Sequence, residues 1–224
     1  MKRLLIIVFA ACCLPFSVDA QTNQELKDSV SWAIGMLDTY PDSLPLRMKK
    51  ASWNMLLGEW QRAKDEYDFV ISRDPLLAPA FFYRAYANEK LRLSALARQD
   101  YNSYLKLMPN DMYAHLGLVV LNQKDKCYAE AFDQVNRLVQ QFPDSALVYA
   151  TRGNLELEQG LKELAEYDYS KAIEKDPAST DYLLSRVEVR LQLGRKKEAR
   201  EDLDRLVRLG VSRANLQYYF MRAK

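Results

Sequence analysis

Nucleophilic and metal chemistry would have to come from very few side chains. The 224-residue chain has one histidine, His115, and three cysteines, of which Cys12 and Cys13 sit in an apolar N-terminal stretch and Cys127 stands alone. A Cys–His couple works only when base and nucleophile are within hydrogen-bond reach. His115 lies early in one helical stretch and Cys127 beyond its end, so a rise of about 1.5 Å per residue separates them by roughly 15 Å or more. A zinc site needs several Cys or His ligands, and none cluster here. With seven glycines, the chain has neither a glycine-rich phosphate loop nor a G-x-S-x-G elbow. Acidic residues are plentiful, but they fall on solvated helix faces or opposite basic partners. The expectation is no catalytic residue, no metal and no cofactor.

The first 20 residues read as an export signal. Lys2 and Arg3 precede an apolar run from Leu4 to Phe16, and Val18-Asp19-Ala20 offers a small-x-small cleavage pattern. The run is too short to span a bilayer, which takes about 20 residues, and no other run in the sequence is longer. A rival reading is a lipoprotein signal cut before Cys12, which the bulky Phe9 disfavours. Without Lys2, Arg3 and Asp19, the 32 basic and 30 acidic residues leave a net charge of +1. Such a balance gives no field for nucleic acid. Cys127 alone cannot form an internal disulfide, so packing must supply the stability.

A period of 34 residues organises the rest. Pro41, Pro75, Pro109, Pro143 and Pro177 fall on one grid, which divides the chain into units 44–77, 78–111, 112–145, 146–179 and 180–213. Position 20 is Ala63, Ala97, Ala131, Ala165 and Ala199. Position 8 is Ala51, Ala85, Val119, Gly153 and Val187, and position 24 is Tyr67, Tyr101, Val135, Tyr169 and Leu203. Apolar residues within each unit recur with helical spacing. Each unit therefore predicts two helices, over about positions 1–14 and 18–31, with a turn at Gly58, Gly160 or Gly194 and a proline that stops the second helix. Small residues at positions 8 and 20 let the two backbones approach.

This pattern resembles the tetratricopeptide repeat, in an exported bacterial type. Tyr149-Ala-Thr-Arg-Gly153, followed by Gly160, Ala165, Tyr169, Ala172 and Pro177, is its clearest copy. The resemblance implies an all-α, right-handed superhelical solenoid with a concave groove lined mainly by first helices, and no reaction. Residues 21–43 and 214–224 are expected to form an N-terminal and a C-terminal cap helix, because a solenoid end otherwise leaves an apolar face in water. The N-terminal cap, from Gln24 to Thr39, presents Leu26, Val30, Ala33 and Leu37 on one face. The C-terminal cluster Tyr218-Tyr219-Phe220 could instead serve a homo-oligomer.

Position 7 is usually leucine in this family, yet here it reads Lys50, Arg84, Leu118, Arg152 and Arg186. Position 23 reads Glu66, Asp100, Gln134, Asp168 and Asp202. The four units with a base have an acid, and the unit with leucine has a neutral amide. Charges near a helix–helix seam need partners, so these residues are expected to be structural ion pairs.

The resemblance places positions 2, 5, 9, 12 and 13 on the groove. Met48, Ser52, Phe82, Tyr86, Tyr113, Leu116 and Val120 then form an apolar patch over the first three units, and Asn154 and Glu188 follow as polar members. Two readings stay open: the rings face a partner, or superhelical winding packs them between units. Asn54, Asn88 and Asn122, all at position 11, form a row that either holds an extended peptide or satisfies backbone at the hairpin turn. The expected function is a non-enzymatic adaptor of the cell envelope, periplasmic or secreted, that binds a protein or peptide. The rivals are a structural subunit assembling through its convex face and caps, and an accessory protein holding a glycan or small ligand.

Overall fold

The computed structural model describes residues 23–224, and the expected signal sequence, with either the expected cleavage after Ala20 or the alternative at Cys12, lies outside them. Every described element is a helix. The N-terminal helix α1 spans Asn23–Thr39. Five two-helix units follow: α2 (Leu44–Leu56) with α3 (Trp60–Arg73), α4 (Ala78–Lys90) with α5 (Ser94–Leu107), α6 (Met112–Lys124) with α7 (Tyr128–Gln141), α8 (Ala146–Glu158) with α9 (Lys162–Lys175), and α10 (Thr180–Gln192) with α11 (Lys196–Arg208). The last helix, α12 (Gln217–Arg222), is short.

The same local devices recur on the 34-residue grid. First helices start on a proline in the first turn, Pro45 or Pro79, or on a capping side chain. Asp111 Oδ1 accepts from the Ala114 amide at 2.8 Å, and Ser145 and Ser179 hydroxyl oxygens accept from Val148 and Tyr182 amides at 3.4 Å. First helices end in one motif throughout. The position 16 amide donates to the position 11 carbonyl at 2.8 Å in every unit, from Glu59 to Asn54 through Arg195 to Arg190. This double-bonded end requires a left-handed residue at position 15. Gly58, Gly160 and Gly194 adopt φ values of 77°, 76° and 75°, and Arg92 and Lys126 occupy the same slot at 63° and 62°.

The chain divides into two compact units, one ending at Leu121 and one beginning at Asn122. In the first, α1 packs on α2, α2 on α3, α3 on α4 and α4 on α5. Leu26, Ala33 and Leu37 are the buried face of α1, and Trp32, Ile34 and Tyr40 stay exposed. Ala51, Ala63, Ala85 and Ala97 are fully buried, with Tyr67 and Tyr101 filling the space beside them. In the second unit, α7 packs on α8, α8 on α9 and α9 on α10. Ala165, Ala199, Tyr169 and Leu203 repeat the arrangement. Here α12 is shorter than the cap expected over 214–224, because residues 212–216 close in tighter i→i−3 turns. Its Leu216, Phe220 and Ala223 are buried and Tyr218 is exposed.

Candidate functional site

The 16-residue step between positions 7 and 23 brings base and acid together across each hairpin. Lys50 Nζ donates to Glu66 Oε1 at 2.6 Å. Arg84 holds Asp100 through Nε and Nη2 at 2.9 and 2.5 Å. Arg152 holds Asp168 at 2.5 and 2.8 Å, and Arg186 holds Asp202 at 2.9 and 2.7 Å. All three arginines use the planar fork that matches a carboxylate. The hydrogen bond to Asp168 is the chief reason Arg152 is even more strongly basic than a solvated arginine.

The third face of each guanidinium was not anticipated. Arg84 Nη1 donates to Asp68 at 2.8 Å, Arg152 Nη1 to Asn136 at 3.0 Å, and Arg186 Nη1 to Ser170 at 2.9 Å. These acceptors occupy position 25 of the preceding repeat, so each arginine ties its own hairpin to the one before. A signal existed. Position 25 is polar in every repeat, and its member Asn102, ahead of the leucine-bearing repeat, is exposed.

The asparagine row belongs to the same seam rather than to a ligand. Asn88 Nδ2 donates to Asp100 Oδ2 and Asn122 Nδ2 to Gln134 Oε1, both at 2.9 Å. Asn54 is 1% exposed and neither polar atom of its side chain has a hydrogen-bond partner. Position 11 stands one turn after position 7 and so faces the position 23 acid, inside the hairpin. In the first repeat that acid is Glu66, whose longer side chain is drawn to Arg47 and Lys50 instead. Arg190 continues the pattern with a 2.8 Å bond to Asp202. It also bonds Glu166 at 2.8 Å, and Arg195 bonds the other oxygen of that carboxylate.

Of the seven apolar or small residues expected on the groove of the first unit, the structure keeps four accessible. Met48, Ser52, Tyr113 and Val120 are half-buried, while Phe82, Tyr86 and Leu116 are buried. Phe82 is a core ring: its centroid lies 5.5 Å from Tyr83, 5.8 Å from Tyr101 and 5.3 Å from Tyr104. Phe82, at position 5, thus points into its own hairpin, against Tyr101 and Tyr104 of α5. Tyr86 meets Trp60 edge-on at 5.9 Å, and the Lys90 ammonium lies 4.9 Å from the Tyr86 ring and 5.7 Å from Trp60. Burial, with the Glu89 charge nearby, pushes the Tyr86 phenol up to about 12. In the second unit Asn154 is half-buried, and its Oδ1 accepts from the Tyr169 hydroxyl at 2.6 Å. Glu188 bonds Arg222 of α12 at 3.1 Å.

His115 and Cys127 each have other company: His115 Nε2 is 2.9 Å from the Pro109 carbonyl oxygen, and Cys127 is exposed with its thiol near the Asp125 carbonyl. Among the described residues, no group of three or more His, Cys, Asp or Glu could hold a metal, and no helix is long and apolar enough to cross a membrane.

The comparisons with known proteins agree with this architecture. Residues 150–214 match the family described as tetratricopeptide repeat. A stretch of 86 residues is 36% identical to a tetratricopeptide repeat and J domain-containing co-chaperone, DNJ1, of Fusarium oxysporum f. sp. lycopersici. The match covers 38% of the chain and spans 16% of that co-chaperone's length. A tetratricopeptide repeat protein from Parabacteroides merdae superposes with a TM-score of 0.74 at 20% identity, over 89% of this chain and 78% of that one. YrrB, described as a tetratricopeptide repeat protein with an unusual peptide-binding site, superposes with a TM-score of 0.55 at 15% identity, over 87% and 96% of the two chains. The match over residues 150–214 and these superpositions show a tetratricopeptide-repeat fold, built here from five 34-residue helix pairs with alanine at position 20.

Proposed function

We propose that the protein is a non-enzymatic scaffold that binds a protein or peptide partner on the first-helix face of its N-terminal unit. The observation that carries this reading is the half-buried state of Ser52, Tyr113 and Val120 on first helices of this unit, which also holds the Lys90 ammonium over the Trp60 and Tyr86 rings. Aromatic rings held rigid by their own packing lose little entropy on binding, and the neighbouring cation gives an acidic or carbonyl-rich segment something to meet. The family match and the peptide-binding site named for YrrB support the choice of a peptide over a small ligand. Of the three aromatic residues expected on the groove, Phe82 and Tyr86 are buried, which leaves Tyr113 as the anchor.

A display library of random peptides selected on the whole protein tests this. Selected peptides should lose about tenfold or more in affinity, on the order of 1.4 kcal/mol, on Tyr113→Ala, with an unchanged melting temperature. Phe82→Ala should lower the melting temperature instead. Peptides indifferent to Tyr113 and to Val120→Glu would move the site away from this face.

We further propose that the protein works outside the cytoplasm, either cleaved after Ala20 or, less in keeping with Phe9, acylated at Cys12. The n-region, apolar core and small-x-small site support the first form. Intact mass of protein from the native host separates the two, and a mass retaining residues 1–20 would refute both. A second role, self-association through the exposed Tyr218 and Met221 of α12, predicts a dimer in light scattering that Tyr218→Asp abolishes.

A further inference from the structure

Position 11 lies opposite position 23 across each hairpin, and only the fourth repeat sets an acid at position 11 against an acid at position 23. Asn88 and Arg190 donate to Asp100 and Asp202, whereas the fourth repeat has Glu156 beside Asp168. Glu156 is buried, and its Oε2 has no hydrogen-bond partner. Its Oε1 lies 3.9 Å from Arg152 Nε, on its own helix. Arg152 has little left to offer, since its fork is taken by both oxygens of Asp168 and its third edge by Asn136. From α9 the groups that face Glu156 are Asp168, 1% exposed, and Tyr169. From α7 the residue that enters this cluster is the uncharged Asn136. Two buried carboxyl groups therefore share one guanidinium.

Two carboxylates so placed cannot both ionise without a large penalty, whereas one proton between them turns repulsion into a hydrogen bond. We propose that Glu156 carries a proton that it donates to Asp168, and that release of this proton is a pH switch that loosens the α8–α9 hairpin. On release the proton goes to solvent and leaves two carboxylates against the single Arg152. The joint reaches the surface, because Tyr169 on the same seam holds the accessible Asn154 amide.

The direction of the effect follows from linkage. Burial first, then the Asp168 charge, raises the Glu156 carboxyl from 4.5 to about 8. The folded protein thus binds more protons than the unfolded chain between those values. Stability from this group is complete below 4.5, falls as pH rises through about 8, and is level beyond.

Thermal melts of the full chain and of Glu156→Gln across this range test the switch, since glutamine keeps the shape and an N–H donor at every pH. The melting temperature of the wild type relative to Glu156→Gln should fall steadily up to about pH 8 and then stay constant. Hydrogen exchange in the wild type, corrected for intrinsic base catalysis, should accelerate in α8 and α9 over the same range and not in α4 and α5. Parallel pH profiles for the two proteins would overturn the proposal. Carbon-13 NMR of glutamate-labelled wild type provides a test that needs no variant: a Glu156 carboxyl midpoint near 8 supports the shared proton, and one near 4.5 refutes it.

Discussion

Arg84 grips Asp100 from the facing helix of its hairpin through two parallel hydrogen bonds of 2.9 and 2.5 Å, and the Asp100 side chain is 4% exposed. A carboxylate that deep is tolerable only while its partner is present. Arg84→Ala should therefore cost about 3–5 kcal/mol, more than the ~0–1 kcal/mol of an exposed pair. Chemical denaturation of Arg84→Ala, Asp100→Ala and the double variant measures the coupling. Additive losses would mean that the two side chains do not stabilise one another.

The left-handed turn residues give a prediction of opposite sign. Arg92 and Lys126 adopt φ values of 63° and 62° where three other repeats use glycine. A side chain in this region strains the backbone by roughly 1–2 kcal/mol, which glycine avoids, partly offset by the greater freedom of glycine in the unfolded chain. Arg92→Gly and Lys126→Gly should each raise stability by about 1 kcal/mol in urea titrations.

Two glycines inside helices separate space from propensity. A Cβ on Gly117 would stand 2.5 Å from Tyr101 Cζ and 2.6 Å from Cε2, against a ring that is buried and tied through its hydroxyl to Glu89 at 2.7 Å. Gly117→Ala should destabilise by about 1–3 kcal/mol through overpacking. At Gly153 the nearest atoms are 3.4 Å away, so Gly153→Ala should be neutral or gain up to about 1 kcal/mol of helix propensity. Calorimetry on both variants checks the contrast.

Asn54 and Asn88 hold the same repeat position with different partners. Asn54 hydrogen-bonds to nothing through its side chain, whereas Asn88 donates to the buried Asp100 carboxylate. Asn54→Leu should leave stability unchanged or raise it by about 1 kcal/mol, since an unsatisfied amide is removed. Asn88→Leu should lower it by about 2 kcal/mol, the worth of a hydrogen bond to a charged group. Equal effects at the two sites would mean that the bond from Asn88 to Asp100 adds nothing.

The fold was legible because it is written in local terms. A 34-residue period, alanine at position 20 and helix stops at the prolines each act within one hairpin, and repetition multiplies the signal fivefold. The pairing of Arg84, Arg152 and Arg186 with their acids could be read for the same reason: covariation within one hairpin reports a contact within that hairpin. The rest depended on how hairpins meet. Whether Phe82 and Tyr86 face a partner or neighbouring helices depends on how helices pack, and the structure buries both, Phe82 against Tyr101 and Tyr104 of its own hairpin and Tyr86 against Trp60 of the preceding one. The position 25 acceptors, the orphaned Asn54 and the crowded Glu156 likewise arise where side chains of different length compete for one buried charge. The one-carbon difference between Glu66 and Asp100 strands one asparagine and gives the amide nitrogen of the other a carboxylate to donate to, a distinction that exists only once both helices are in place.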